Sequence, residues 1–241
     1  MERLKSGVEK LGISLGEEQI RLFELYYREL AAWNKRMNLT GIIDYEEVQV
    51  KHFLDSLTVA QALEIRGGGK ADYKIIDVGT GAGFPGLPLK IAFPGIKLTL
   101  LEATAKKTKF LEYIAGEMGL KDVEIVTGRA EEIGRRPQYR EKYDVVVSRA
   151  VAPLPALAEL TVPFARNGGI IVAQKKGDIT EEIKSAEKAI EVLGGRVTEI
   201  KRVMPDGPDD DRCLVIIEKI EETPEKYPRR NGMPAKRPIT G

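Results

Sequence analysis

Two adjoining stretches carry the chemistry of this chain: IIDVGTGAGFPGLPLK at Ile75 to Lys90 and LTLLEATAKKTKFLEYI at Leu98 to Ile114. Each begins as a short strand and ends in acidic and small residues. A strand over Ile75 to Val78 delivers Asp77 and the backbone of Gly79, Gly81 and Gly83 to the carboxyl edge of a parallel sheet. There a turn without Cβ atoms lets a ligand approach the main chain. Glu102 closes the next strand, where a carboxylate can accept both hydroxyl protons of a ribose. The pattern predicts a pocket for a nucleoside-bearing cofactor.

The spacing of Gly81, Gly83 and Gly86 also fits the generic G-x-G-x-x-G used for pyrophosphate. Against that use, Asp77 sets a carboxylate just before the turn, and Phe84 and Pro85 occupy the stretch that would offer a phosphate a helix N-terminus. A cationic head with an amino acid tail suits this carboxylate better. S-adenosylmethionine has both, together with a ribose for Glu102. The segment TGRAEEI at Thr127 to Ile133 supplies an adenine slot, read by the backbone of Ala130 and Glu131 or by the Glu131 side chain. Glu131 also reads as a helix N-terminal charge. Ser148 and Arg149 stand at the end of a fourth strand. Arg149 could hold Asp77 or the cofactor, or bind a substrate phosphate or base edge through its planar fork. Gln174, Lys175, Lys176 and Gly177 follow a fifth strand and could line the other side of the mouth. With one histidine, His52, and one cysteine, Cys213, no zinc site of the usual soft ligands is expected. No serine lies in a G-x-S-x-G turn. The apparatus is one of binding and alignment.

The elements that must position these residues follow from periodicity. Helix is expected over Gly16 to Met37, with Ile20, Phe23, Leu25, Tyr27, Leu30 and Trp33 on its apolar face. Asp44 is placed to cap a second helix, Glu46 to Leu63, ending before the glycines at Gly67 to Gly69. Strands are expected at Ile75 to Val78, Leu98 to Leu101, Val123 to Val126, Asp144 to Val147 and Ile170 to Ala173. Helices Leu87 to Ala92, Lys107 to Met118, Leu154 to Ala165 and Thr180 to Leu193 alternate with them. The last strands, Val197 to Arg202 and Cys213 to Lys219, are joined by a loop too short for a parallel crossover, so they pair antiparallel. A mixed seven-stranded sheet is not the six-strand doubly wound arrangement of a dinucleotide domain, which argues against a nicotinamide oxidoreductase. One α/β domain over 1–241 is expected, divided into a helical extension at 1–70, a cofactor-binding core at 71–220 and a basic Pro/Arg-rich tail at 221–241.

The 241 residues carry 31% charged and 42% hydrophobic side chains with a formal net charge of only +1. Any polyanion binding must therefore come from local clusters: Lys106, Lys107 and Lys109; Arg135 and Arg136; and Arg229, Arg230, Lys236 and Arg237 in the tail. Cys213 sits in the apolar run CLVIIEK as a core residue, and a reducing cytoplasm is the expected compartment. The N-terminus carries charges where a signal peptide needs an apolar run, and no apolar run approaches membrane-spanning length, so membrane insertion is not expected.

Taken together, NKRMNLTGI (Asn34 to Ile42), KHFLDSL (Lys51 to Leu57), IIDVGTGAGFPGLPL, LLEATAKKTKFL, GRAEEI, VVSRAVAPL and the terminal YPRRNGMPAKRPI resemble a known family over nearly the whole chain. It is the class I S-adenosylmethionine methyltransferases that modify guanine N7 in bacterial small-subunit (16S) ribosomal RNA, the glucose-inhibited division protein B family. The resemblance implies the class I methyltransferase fold and a soluble, monomeric enzyme acting on small-subunit rRNA, free, in the 30S subunit or in an assembly intermediate. It places the cofactor against Gly79, the Phe84 backbone, Glu102, Ala103, Thr104, Ala130, Glu131 and Arg149. It turns His52, Lys107, Arg149, Lys175, Arg229 and Arg230 toward RNA. Thr108 within KKTKF and the paired Lys175 and Lys176 depart from the family pattern. The competing expectations are a methyltransferase for a protein or small molecule, and a noncatalytic RNA-binding assembly factor.

Overall fold

The computed structural model describes residues 1–63, 73–205, 207 and 210–240. The glycine run at Gly67 to Gly69 lies outside these residues, as do three residues of the loop between the last two strands. Seven strands form one sheet in the order β3-β2-β1-β4-β5-β7-β6. They are β1 (Lys74–Val78), β2 (Lys97–Glu102), β3 (Val123–Thr127), β4 (Tyr143–Arg149), β5 (Ala165–Lys176), β6 (Gly195–Val203) and β7 (Arg212–Lys219). The first five run parallel, while β7 pairs antiparallel with both β5 and β6. The hairpin-like ending is as expected, with β7 folded back between β5 and β6.

Strand alternation divides the core between the two faces. Ile75, Leu98, Leu100, Val145 and Val147 point to one face, under the N-terminal helices, α5 (Gly86–Ala92) and α6 (Ala105–Glu117). Ile76, Leu101, Val146 and Ile171 point to the other, under α8 (Leu154–Thr161), α9 (Thr180–Val192) and Tyr227 of the tail. The helical extension shares the first core cluster with the sheet, so it is a layer of the same hydrophobic body.

That extension differs in detail from the sequence expectation. A first helix, α1 (Glu2–Lys10), buries Leu4 and Val8 at i, i+4 spacing, a short signal among many charges. In α2 (Glu17–Met37) the fully buried face is Phe23, Tyr26 and Leu30, while Leu25 and Tyr27 are half-buried. Asp44 caps as expected, accepting the amides of Glu46 and Glu47 at 3.0 Å each. The segment that follows is not one regular helix. It passes from α3 (Tyr45–Val48) through a π-helical turn, Gln49–Leu54, to α4 (Asp55–Leu57) and a 3-10 turn, Thr58–Gln61. A Cβ on Gly7 of α1 would stand 2.3 Å from Leu54 Cδ2, so glycine there admits the π turn.

The tail straps the second face. Arg135 donates to the carbonyls of Pro228 (2.7 Å) and Lys226 (3.1 Å), and Arg140 to those of Tyr227 (2.8 Å) and Thr223 (2.5 Å). Arg229 makes a bidentate pair with the fully buried Glu159 of α8. Two short helices complete the chain, α7 (Ala130–Ile133) and α10 (Met233–Lys236). No described helix is long and apolar enough to cross a membrane.

Candidate active site

The carboxyl ends of β1, β2, β3 and β4 meet at one edge. At β1, Gly79, Gly81 and Gly83 all have positive φ. A Cβ at Gly81 would meet nothing within 4 Å, which leaves the turn open to a ligand, whereas one at Gly83 would stand 2.6 Å from the Tyr26 hydroxyl. Tyr26 donates to the Ala82 carbonyl at 2.5 Å, so helix α2 holds the glycine turn from below. Sequence periodicity missed this residue, although Phe23, Tyr26 and Leu30 lie on one helical face. Tyr26→Phe is expected to cost about 1–3 kcal/mol, because the Ala82 carbonyl loses a buried donor, read as a lower urea midpoint with unchanged slope.

Glu102 is the best-organised group at this edge. Its Oε2 accepts the Gly81 amide at 3.0 Å and its Oε1 the Thr104 amide at 2.8 Å. The carboxylate thus bridges the two turns and keeps one lone-pair site on each oxygen for a pair of hydroxyls. Its own carbonyl accepts from Gly128 (3.0 Å), tying in the turn that leads to Ala130. Ala103 and Thr104 are exposed beside it, and Ala130 is half-buried. Thr108 is buried and receives a hydrogen bond from Thr127 at 3.0 Å, so this departure from the family pattern belongs to the seam between α6 and β3.

Asp77 is fully buried. Its Oδ2 accepts Thr80 Oγ1 (2.6 Å) and the Gly86 amide (2.8 Å), closing the glycine turn, while its Oδ1 has no partner. An anion with one unsatisfied oxygen under this turn fits a cationic ligand head, not a pyrophosphate. The cradle at Gly81 and the free lone pairs of Glu102 fit the amino acid and ribose parts of S-adenosylmethionine.

Above the turn, Phe84 is the centre of a stack. Its ring lies 4.5 Å from that of His52, 5.3 Å from Tyr26 and 5.0 Å from the Arg149 guanidinium. His52 Nδ1 lies 3.1 Å from the Lys51 carbonyl and Nε2 2.8 Å from Thr40 Oγ1. The Lys51 carbonyl can only accept, so this contact puts the proton on Nδ1 and leaves Nε2 to accept from the Thr40 hydroxyl, whose oxygen also accepts the Ile42 amide (3.1 Å). Arg149 donates to Asp55 Oδ2 (2.7 Å) and to the Lys51 carbonyl (3.1 Å). The same Asp55 oxygen takes Arg212 at 2.7 Å. In the structure Arg149 thus pairs with Asp55, one residue beyond the π-helical turn, and makes a cation–π contact with Phe84.

The residues expected to face RNA divide in two. Lys107 is half-buried at the start of α6 and Arg230 is exposed on the tail. Lys175 and Arg229 are engaged in ion pairs within the chain. Lys175 donates to the Ala152 carbonyl (2.8 Å) and pairs with Glu182 (2.6 Å), while Glu182 also accepts the Leu154 amide at 2.5 Å. It braces the loop after β4, leaving Lys176 as the exposed lysine of the pair. Arg229 is spent on Glu159. In the braced loop, Ala150 has φ of 55° and Val151 lies over Gly79, where a Cβ would stand 2.5 Å from Val151 Cγ2. A non-glycine residue held at positive φ beside the cofactor turn is strain at a functional edge.

Two titrations at this edge oppose each other. Burial pushes Asp77 up from 3.8 to about 6. Burial, then the Arg149 charge, pushes His52 down from 6.5 to about 4. As pH falls through 6 toward 3.8, folded Asp77 takes up a proton that the unfolded chain binds less well, so stability rises. As pH falls from 6.5 toward 4, the unfolded His52 gains a proton that the folded one refuses, so stability drops. Between pH 6.5 and 4.5 each contributes about 2 kcal/mol, with opposite sign. Relative to wild type, His52→Gln is expected to gain that amount over the interval and Asp77→Asn to lose it, measured by urea unfolding at both pH values.

A solved structure of similar architecture is an MtNAS mutant in complex with S-adenosylmethionine, with a TM-score of 0.55 at 13% identity over 84% of this chain and 76% of that one. A second MtNAS structure, with MTA and tNA, has a TM-score of 0.54. These likenesses concern the fold. In sequence, the chain is 52% identical over 239 residues to the ribosomal RNA small subunit methyltransferase G of Dehalococcoides mccartyi, covering 99% of this chain and all of that one. It is 47% identical over 236 residues to that of Alkaliphilus metalliredigens, covering 98% and 97%. The family model for rRNA small subunit methyltransferase G matches residues 19–210. With a family model matching most of the chain and relatives about half identical over nearly all of it, the chain belongs to the GidB family, the rRNA small subunit methyltransferase G proteins.

Proposed function

We propose that this chain transfers the methyl group of S-adenosylmethionine to N7 of a guanine in small-subunit ribosomal RNA. The observation that carries the reading is Glu102, fixed by the Gly81 and Thr104 amides with a lone-pair site free on each oxygen at the end of β2. Gly79, Gly81 and the Phe84 backbone would hold the amino acid part, Glu102 the ribose, and the Ala130–Glu131 backbone the adenine. The bound cofactor supplies an electrophilic methyl group on a cationic sulfur. Guanine N7 carries no proton, so the reaction needs no general base. The edge fits that requirement: Asp77 is buried and held by the turn, and both His52 nitrogens are engaged.

What the protein contributes is alignment of the two reacting centres, roughly 3–3.5 Å apart and in line. Positive charge passes to the base, so a bare cation at this edge would oppose the reaction. Arg149 and Arg212 stand nearby, but Asp55 pairs with both and Asp210 with Arg212, so the four charges balance. Lys107 and Arg230, with Lys106 and Lys109, are left for phosphates, which position RNA without reading its sequence. Incubation with methyl-labelled S-adenosylmethionine and small-subunit rRNA, naked and in the assembled subunit, is expected to label one guanine at N7. Cofactor binding without transfer to either substrate would reject the reading.

A further inference from the structure

The tail reaches the cofactor edge at α7. Glu131 is buried, and its Oε1 accepts the amide of Gly232 at 2.8 Å. Glu132, next to it, accepts a hydrogen bond from Asn231. Gly232 has φ of 75° and opens α10, whose Pro234 is buried. Upstream, the backbone N–H and the guanidinium of Arg229 both bind Glu159 (2.6 Å each), and the guanidinium also donates to the Arg237 carbonyl at 2.7 Å. Arg135, two residues beyond α7, holds the Pro228 carbonyl. The turn from Gly128 to Glu131 is therefore fastened on two sides. On one, the Gly128 amide binds the carbonyl of Glu102; on the other, Glu131 binds the tail.

We infer that the C-terminal strap from Tyr227 to Lys236 sets the position of the adenine end of the cofactor slot, with Glu131 as the positioning residue that connects Gly232 to the Ala130 turn. The inference rests on the cofactor reading above and assigns the Glu131 side chain to the strap, leaving backbone groups to read adenine. A four-residue helix has too few internal hydrogen bonds to hold its own orientation. The strap supplies the missing constraint, anchored in a charge pair whose carboxylate is fully buried. Positioning by the strap also implies the reverse: a ligand seated against the Ala130 turn must stabilise the strap by the same factor.

The test compares wild type with the double variant Glu159→Ala, Arg229→Ala, which removes both charges and leaves no buried one uncompensated. Titrations with S-adenosylhomocysteine and with 5′-methylthioadenosine, which lacks the amino acid end, are expected to weaken by the same factor, roughly 5- to 30-fold. The KM for S-adenosylmethionine should rise by the same factor. Unchanged affinities with only a lower Tm would overturn the inference, as would weakening of S-adenosylhomocysteine alone. Hydrogen exchange on the unaltered chain is an independent arm that needs no variant to fold: saturation with 5′-methylthioadenosine is expected to slow exchange across residues 227–236, and unchanged exchange there would equally overturn it. If wild type binds neither nucleoside, the cofactor reading fails and the strap's role falls with it; binding by wild type with no response in the variant rejects the strap alone.

Discussion

Glu102→Ala is expected to weaken S-adenosylhomocysteine binding by roughly a hundredfold to ten-thousandfold while the protein still folds. Each ribose hydroxyl would donate to a charged oxygen, and such bonds contribute about 1.5–3 kcal/mol each. Two of them make about 3–6 kcal/mol, at about 1.4 kcal/mol per tenfold. The alanine variant also releases the amides of Gly81 and Thr104, which now converge on the carboxylate. Part of the loss is therefore loosening of the two turns. Glu102→Gln separates the effects, because its single acceptor oxygen can serve only one turn and one hydroxyl, so its affinity should fall between wild type and alanine. Calorimetric titration of the three proteins reads this directly. A change of less than about threefold in the alanine variant would remove Glu102 from the site.

Glu102 was legible in the sequence because a carboxylate at a strand end, one βα unit after a glycine turn, depends only on local order. The strands were legible for the same reason: Ile75 to Val78 and Leu98 to Leu101 are short apolar runs bounded by turn residues, and the structure extends each by one or two positions. What the sequence could not give is which cations are free. Lys175 and Arg229 look like Lys107 and Arg230 in a string of letters. Their partners, Glu182 and Glu159, are 7 and 70 residues distant and come into reach only when α8 and α9 pack on the sheet. Tyr26 was lost differently. Its neighbour Tyr27 fits the same broad helical face, and choosing between them requires knowing that Ala82 waits above the helix. The π-helical turn has no sequence signature at all. It is visible only as an altered hydrogen-bond register that coincides with the close approach of Gly7.

That turn leads to the second large effect. Asp55, one residue beyond the π turn, is almost wholly buried and receives Arg149 from β4 and Arg212 from β7 on the same oxygen. Its backbone carbonyl also accepts Gln174 of β5 at 2.7 Å, so one residue of the helical extension joins three strand ends. Asp55→Ala leaves the partly buried Arg149 without its carboxylate and Arg212 with Asp210 alone, which costs about 3–5 kcal/mol. It also frees Arg149, and with it an uncompensated positive charge against Phe84 at the edge where the base becomes cationic. The expected result is a lower urea midpoint together with a fall in kcat of at least about tenfold and a smaller change in cofactor affinity. Adding Arg212→Met to Asp55→Ala tests the cause. Removing one of the two neighbouring guanidiniums should restore part of the stability, giving a coupling energy of about 1–3 kcal/mol in the double-mutant cycle. If the two substitutions add without coupling, the carboxylate is not neutralising the arginines. The charge balance at the methyl-transfer edge would then have to come from elsewhere.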